Sequence, residues 1–272
     1  MINCHVHSKY SIDSKAQLQD IFNTAIQRGL AGVAITDHVP FWYYKNGFDK
    51  TSLIDCKKEI LSFKQQYQGK LKILFGMEVS EYHLYPEYEK QALSVGDFDV
   101  VLCSLHDAIE VSIPKFNPHF IENDFTIFSK QELEEIVKKY YAILKNEAKI
   151  RDYDVLSHLT YPFRYICCRE KMDLDYKIVQ TDIEEILQII IKRGKALELN
   201  TSYADKDFFM PNQEILKKYK QLGGELITLG SDAHVAENVD KGLVKGKELL
   251  KKCGFTKYYY YEGRKPKIAE IL

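Results

Sequence analysis

The sequence predicts an α/β protein built on parallel strands, either closed as a βα barrel or open and doubly wound. Three observations carry this. Seven short β-rich runs recur along the 272 residues. They are apolar without strict alternation, as strands covered on both faces are. Amphipathic helical patterns lie between them, and alternating strand and helix means parallel strands joined by crossovers.

The runs are 2–6 (INCHV), 32–37 (GVAITD), 72–79 (KILFGMEV), 98–104 (FDVVLCS), 153–157 (YDVLS), 195–200 (KALELN) and 225–231 (ELITLGS). After the first, Leu18, Ile21, Phe22, Ala25 and Ile26 recur at helical spacing until RGLAG ends the helix. Residues 130–148 and 182–194 follow the same period, and 212–224 ends in two glycines, as a helix before a strand should. Two stretches, 39–70 and 107–129, follow strands directly and read as long βα loops. In barrels such loops form the active face. TKYYYYEGRKP near the end reads as a surface or closing strand whose tyrosines pack rather than react. No repeat, low-complexity segment or flexible linker divides the chain, so residues 1–272 are expected to form a single domain.

Bulk charge excludes little and suggests less. Thirty-eight Lys and Arg stand against 39 Asp and Glu, a net of −1, so nothing global draws the chain to nucleic acid or membrane. No apolar run approaches the roughly 18 residues of a membrane span. The first residues lack the basic leader and long apolar stretch of a signal peptide. The six cysteines show no CxxC spacing and several sit in apolar runs. Free, buried thiols in a reducing cytoplasm are expected.

The polar residues at the ends of the runs carry the chemistry. Of eight histidines, six fall there: His5, His7, His38, His106, His158 and His234. His83 and His119 do not. Any one of the six alone would read as a hydrogen-bonded core residue; six at one rim do not. In a strand, residues i and i+2 share a face, so His5 and His7 aim at one spot. Imidazoles with carboxylates among them, and few cysteines, make a metal site other than a Cys4 structural zinc. Nine candidate ligands emerge: His5, His7, Asp13, His38, Glu78, His106, His158, Asp232 and His234. A catalytic ion takes about three or four protein ligands and keeps a position open. Nine therefore imply two or three divalent ions, with Glu78 or another carboxylate bridging. Zinc, manganese and iron all suit such donors. Asp37 and Glu198 are expected to hold ring N–H groups in place rather than bind metal, and Asn200 is placed with them.

Together, HVHS…D, ITDH, the strand-end Glu78, SLH, SH and GSDAH resemble the PHP (polymerase and histidinol phosphatase) superfamily, in order and over essentially the whole chain. GSDAH also occurs in amidohydrolases; the ordered set is what is specific. Length and layout are most similar to the histidinol-phosphate phosphatase branch. The resemblance implies a distorted (β/α)7 barrel with a trinuclear site at the C-terminal ends of the strands. It assigns His5, His7, Glu78 and Asp232 to one ion, Glu78, His106 and His158 to a second, and Asp13, His38 and His234 to a third. Asp13 stands where some relatives have His, which keeps a ligand and adds negative charge at the third ion.

The activity so implied is hydrolysis of L-histidinol phosphate, a step of histidine biosynthesis, by a metal-activated hydroxide. Clustered ions lower the pKa of a bound water and neutralise phosphoryl oxygens and the leaving alkoxide. No serine or cysteine nucleophile is needed. The expected partner is a small-molecule phosphate monoester, not nucleic acid or membrane; the oligomeric state stays open. Arg164, in LTYPFRY, can bind two phosphate oxygens as a fork. Trp42 and Glu110, in the long loops, suit a cationic amine carrying a flat ring. Three alternatives remain: a PHP phosphatase for phosphotyrosine or nucleotide ends, a metal-dependent amidohydrolase, and a non-catalytic metal-binding regulatory domain. The absence of lysine from FDVVLCS argues against the second, and the nine filled positions argue against the third.

Overall fold

Short apolar runs buried on both faces pair in the order in which they occur. The computed structural model describes residues 1–40, 49–81, 86–108 and 110–271. Its strands are β1 (Ile2–Val6), β2 (Gly32–Ile35), β3 (His38–Pro40), β4 (Lys72–Ser80), β5 (Val100–Ser104), β6 (Val155–Leu156), β7 (Ala196–Asn200) and β8 (Ile227–Gly230). They run β1-β2-β4-β5-β6-β7-β8, with parallel pairing throughout, and β3 pairs with the upper half of β4. The first and last strands meet: Asp232 N–H donates to the His5 carbonyl at 2.9 Å and His7 N–H to the Ala233 carbonyl at 2.8 Å. The sheet is thus a nearly closed, distorted TIM-like barrel, which rules out the doubly wound alternative.

The helices are α1 (Leu18–Gln27), α2 (Thr51–Gln66), α3 (Pro86–Leu93), α4 (Lys130–Ile150), α5 (Tyr161–Phe163), α6 (Gln180–Lys192), α7 (Gln213–Gln221) and α8 (Leu243–Lys252). Local signals set several boundaries. Ser129 and Glu132 form a reciprocal capping box on α4, and the Asn212 side chain caps α7. No helix among the described residues is long and apolar enough to cross a membrane.

The strand pleat sorts the core into two layers. Outward residues such as Val33, Ile73, Phe75 and Val101 pack against helix residues such as Phe22, Ile60, Tyr140 and Ile186. A separate cluster joins Ile2, Cys4, Ala34, Leu74, Val100, Leu102, Val155 and Ala196 on the opposite face of the strands, inside the barrel at its N-terminal end. Tyr261 belongs to this cluster and closes that end.

Several expectations change. The run 32–37 breaks at Thr36–Asp37, so β2 and β3 are separate segments. The stretch 39–70 is not simply a loop; it holds α2, whose Leu53, Cys56 and Ile60 face the core. Few apolar residues over sixteen positions leave that helix's period faint. Residues 153–157 retain only two strand residues. The closing strand is instead a hairpin outside the barrel, β9 (Lys257–Glu262) against β10 (Lys265–Glu270). Tyr258 and Tyr261 are buried there, and the Tyr258 hydroxyl accepts from Ile2 N–H at 2.8 Å.

Candidate metal centre

Several strands read apolar, then polar, along their inward faces. On β4 the series is Leu74, Gly76, Glu78; on β5 it is Val100, Leu102, Ser104; on β7 it is Ala196, Glu198, Asn200. Residues two apart share a face, so the polar members form a layer above the apolar plug. β1 reaches the same arrangement through an irregularity. Its register against β2 shifts between Asn3 and Val6. Ile2 and Cys4 lie in the inner cluster, whereas Val6 lies in the outer one. This bulge re-aims the strand so that His5 and His7 point inward.

Glu78, fully buried, is the hub. Its Oε2 lies 2.8 Å from His38 Nδ1, 3.3 Å from His5 Nε2 and 3.5 Å from His7 Nε2. Its Oε1 lies 2.8 Å from His158 Nε2 and 3.4 Å from His106 Nε2. Asp232 Oδ1 approaches His7 Nε2 at 3.2 Å and His5 Nε2 at 3.6 Å. Asp13 Oδ2 lies 3.1 Å from His234 Nε2 and 3.4 Å from His38 Nε2. All nine expected side chains therefore lie in one constellation. His38 faces two ways, one ring nitrogen to Glu78 and the other to Asp13. His158 and Asp232 hold positive φ angles of 24° and 54°. Strained backbone of this kind persists where the surroundings over-determine it, and it gathers at functional sites.

Outer contacts fix these groups. Glu198 Oε1 accepts from His5 Nδ1 at 2.6 Å, and Oε2 accepts from the His158 backbone N–H at 2.7 Å. Asn200 Nδ2 donates to both Glu198 Oε2 and Asp232 Oδ2 at 3.3 Å. Asp37 does something else. It accepts from the Ser8 backbone at 2.5 Å, the Ser8 hydroxyl at 2.7 Å and the Cys56 thiol at 3.4 Å. It thus anchors the chain after His7 rather than a ring nitrogen, because the break between β2 and β3 turns it away from the histidines. Sequence reading did not single out Ser11, which contacts His7 Nδ1 at 3.3 Å and Asp13 Oδ1 at 3.1 Å, or Ser104, which donates to Glu78 Oε1. A serine carries no ligand signal.

The donor set fits divalent cations. Glu78 Oε2 is buried and has no hydrogen-bond partner of good geometry among the described residues, although three ring nitrogens lie within 3.5 Å. Among the described residues, three groupings have ligand atoms within 4.8 Å of one another: His5, His7 and Asp232; His38, Glu78 and His106; His7, His38 and His234. Burial pushes the Glu78 and Asp232 carboxyls up, but the surrounding imidazoles outweigh it and hold both well below the usual range. Burial, with His38 and His234 beside it, holds His7 well below its ordinary value, and burial takes His106 down to about 4. Ionised carboxylates and neutral imidazoles are the forms that bind metal. Burial lowers His38, yet Glu78 and Asp13 overcome it and raise the ring to about 10. The carboxylates thus draw positive charge to this rim.

A cavity of about 290 Å³ opens over the cluster. Asp13, His38, His106, Asp232 and His234 line it together with Asp107, His119, Phe120, Ile121 and Glu122. Arg164 lines it too, at the start of a π-helical turn, Arg164–Arg169. It is not an exposed arginine: its side chain is 13% accessible and stacks on Tyr161 and Tyr165. Nη2 donates to the Tyr165 hydroxyl at 2.5 Å and Nη1 lies 3.5 Å from Asp232. Glu110 is exposed and absent from the cavity walls; the loop instead turns Asp107 and Glu122 inward. Phe116 and Phe120 are buried against each other, and Phe120 packs on Tyr140. Trp42, with Tyr43, Tyr44, Phe48 and His83, lies outside the described residues.

Fold and donor set together define a βα barrel with a donor set for divalent metal at its C-terminal rim. The chain belongs to the PHP domain family, whose model matches residues 3–202. A histidinol-phosphatase of Lactococcus lactis is 27% identical over 270 residues, covering 97% of this chain and 95% of its own. A "Probable histidinol-phosphatase" of Thermotoga maritima is 28% identical, with 97% of each chain covered. The crystal structure of histidinol phosphate phosphatase from Lactococcus lactis, complexed with zinc, L-histidinol and phosphate, superposes with a TM-score of 0.81 at 26% identity over 98% of both chains.

Proposed function

We propose that this chain is a metal-dependent phosphomonoesterase that hydrolyses L-histidinol phosphate to L-histidinol and phosphate, using two to three ions of zinc, manganese or iron. The observation that carries this reading is the Glu78-centred donor cluster sharing one small cavity with Arg164. The full-length likeness to a relative solved with zinc, L-histidinol and phosphate supports the choice of substrate.

His5, His7, Asp13, His38, Glu78, His106, His158, Asp232 and His234 would hold the ions, and Glu78, whose two oxygens face different histidines, would serve more than one of them. When bound, divalent ions supply Lewis acidity to the phosphoryl group and a water acidic enough to attack phosphorus. The chain's own residues do the rest. Glu198 locks the His5 ring and Ser104 locks Glu78, so the ligands are set before substrate arrives. Arg164 lines the cavity with its guanidinium held between Tyr161, Tyr165 and Asp232, where its charge can meet phosphate oxygens. Its charge opposes the dianion, and its stacking on two tyrosines keeps the fork in place. The cavity suits a small ester, and the balanced net charge offers nucleic acid no general attraction.

The test is a metal-reconstituted protein assayed on histidinol phosphate, phosphotyrosine and mononucleotides, beside elemental analysis. A clear preference for histidinol phosphate with about two to three ions per chain is expected. Preference for another ester would move the substrate. Less than one ion per chain after growth in added metal would overturn the reading.

A further inference from the structure

A second arginine stands on the turn that carries Arg164, and it spends its donors on another loop. Arg169 Nη1 donates to the Ile121 carbonyl at 2.8 Å, and Nη2 donates to the Asn123 carbonyl. Its Nε donates to Glu170 Oε1 at 2.7 Å. One planar fork thus holds two carbonyls two residues apart, a geometry that a lysine ammonium does not reproduce.

The π-helical turn brings the two arginines together. Glu170 N–H donates to the Tyr165 carbonyl at 3.0 Å, a bond between residues five apart. Such bonds set residues five apart over one another, where α-helical neighbours are three or four apart. Arg164 and Arg169 are spaced in this way, and the Cζ of each lies 4.8 Å from the centre of the Tyr165 ring. One ring therefore seats both the arginine proposed for phosphate and the arginine that grips the loop.

The gripped loop lines the cavity. Phe120, Ile121 and Glu122 form a single 3-10 turn, and all three line the cavity that the metal donors line. Ile121 is 63% exposed, so its main chain rather than its side chain is what the fold holds. The buried Asn123 ties the loop further back, accepting from Asn117 N–H at 2.9 Å and donating to the Asn117 carbonyl at 2.8 Å. A second cavity, of about 450 Å³, is lined by Arg169 and shares Ile121, Arg164 and Tyr165 with the first.

We infer that Arg169 is a positioning residue for the leaving alcohol, because it ties the Phe120–Glu122 loop to the turn that carries Arg164. This rests on the phosphatase reading above. The metal donors and Arg164 suit the phosphoryl group. Phe120, Ile121 and Glu122 give the same cavity apolar surface and a carboxylate, which suit an alcohol bearing a ring and an ammonium group. Arg169 touches neither part of the ester; it fixes the spacing between the two seats.

The test compares Arg169→Gln and Arg169→Lys with the unmodified holoenzyme. KM for histidinol phosphate, inhibition by L-histidinol, inhibition by inorganic phosphate and metal content are measured for each. KM and the inhibition constant for L-histidinol should rise about 10-fold in both variants, the scale of one lost hydrogen bond to a charged group. Inhibition by inorganic phosphate and metal content should stay as they were. Asn123→Ala, which loosens the loop from its other side, should give the same split, and with Arg169→Lys it decides the matter should Arg169→Gln not fold. Equal weakening of phosphate and alcohol, or a loss that follows metal content, overturns the proposal. So does normal behaviour of Arg169→Lys, which would make charge rather than the fork the requirement, and so does no change in any variant. If the unmodified holoenzyme prefers phosphotyrosine or a mononucleotide, the same comparison is made with that ester and its alcohol. If it hydrolyses none of them, the phosphatase reading itself fails.

Discussion

Glu78 shows how one buried side chain organises a site. A carboxylate with five imidazole nitrogens within 3.5 Å is stabilised by charge and would be costly to remove, because the rings around it lose their common partner. Glu78→Ala should therefore cost more activity and more bound metal than His38→Ala. Elemental analysis and turnover of the two variants check this; equal losses with equal residual metal would argue against a shared glutamate. Arg164 makes a second residue-scale case. Arg164→Lys keeps a charge but loses the planar fork and the stacking on Tyr161 and Tyr165. The expected cost is about 1.5–3 kcal/mol in kcat/KM, the scale of a hydrogen bond to a charged group. It should appear mainly as a raised KM if the arginine grips ground and transition states alike.

At the scale of elements, the strand ends place the ligands and the packing between strands holds them. Gly230, on β8, faces the His5–Glu198 pair. A Cβ there would meet Glu198 Oε1 and would come within 2.5 Å of the His5 Cβ. Gly230→Ala should push the two apart and weaken metal binding about 10- to 100-fold, as loss of an outer hydrogen bond to a metal histidine does. Glu198→Gln should give the same phenotype without the steric insult. Competition with a chelator measures both. If Gly230→Ala binds metal normally, the close approach of β8 to β1 is not what seats His5.

Across the whole molecule, the two ends of the barrel have separate duties. The N-terminal end is a plug of apolar side chains capped by Tyr261; the C-terminal rim is polar and carries the ligands. Tyr261→Ala should lower stability by about 3–5 kcal/mol, the range for emptying a buried aromatic site. It should leave metal content and KM unchanged, because the hairpin meets the barrel at Ile2, Cys4 and Asp154 rather than at the rim. Chelation should do the reverse. It should abolish activity and lower the thermal midpoint, since a ligand that binds only the folded chain stabilises it. Calorimetry of both samples separates the two ends; a Tyr261→Ala protein that loses metal in step with stability would join them.

What the sequence determined by itself follows from short-range rules. Burial on both faces marked the parallel strands, and helical spacing marked α1, α4, α6 and α7, because both signals repeat every few residues. The convergence of nine polar residues was legible because a barrel brings all strand ends to one rim, whatever the loops do. Tertiary structure decided the rest. It split the second run at Thr36–Asp37 and turned Asp37 toward Ser8. It made the tyrosine-rich tail a hairpin over the barrel floor, and it bent β1 so that His5 and His7 face inward. It kept Glu110 at the surface and set Asp107 and His119 side by side across twelve positions of loop. Each of these depends on which backbone approaches which across many residues of intervening chain, and no local period records that distance.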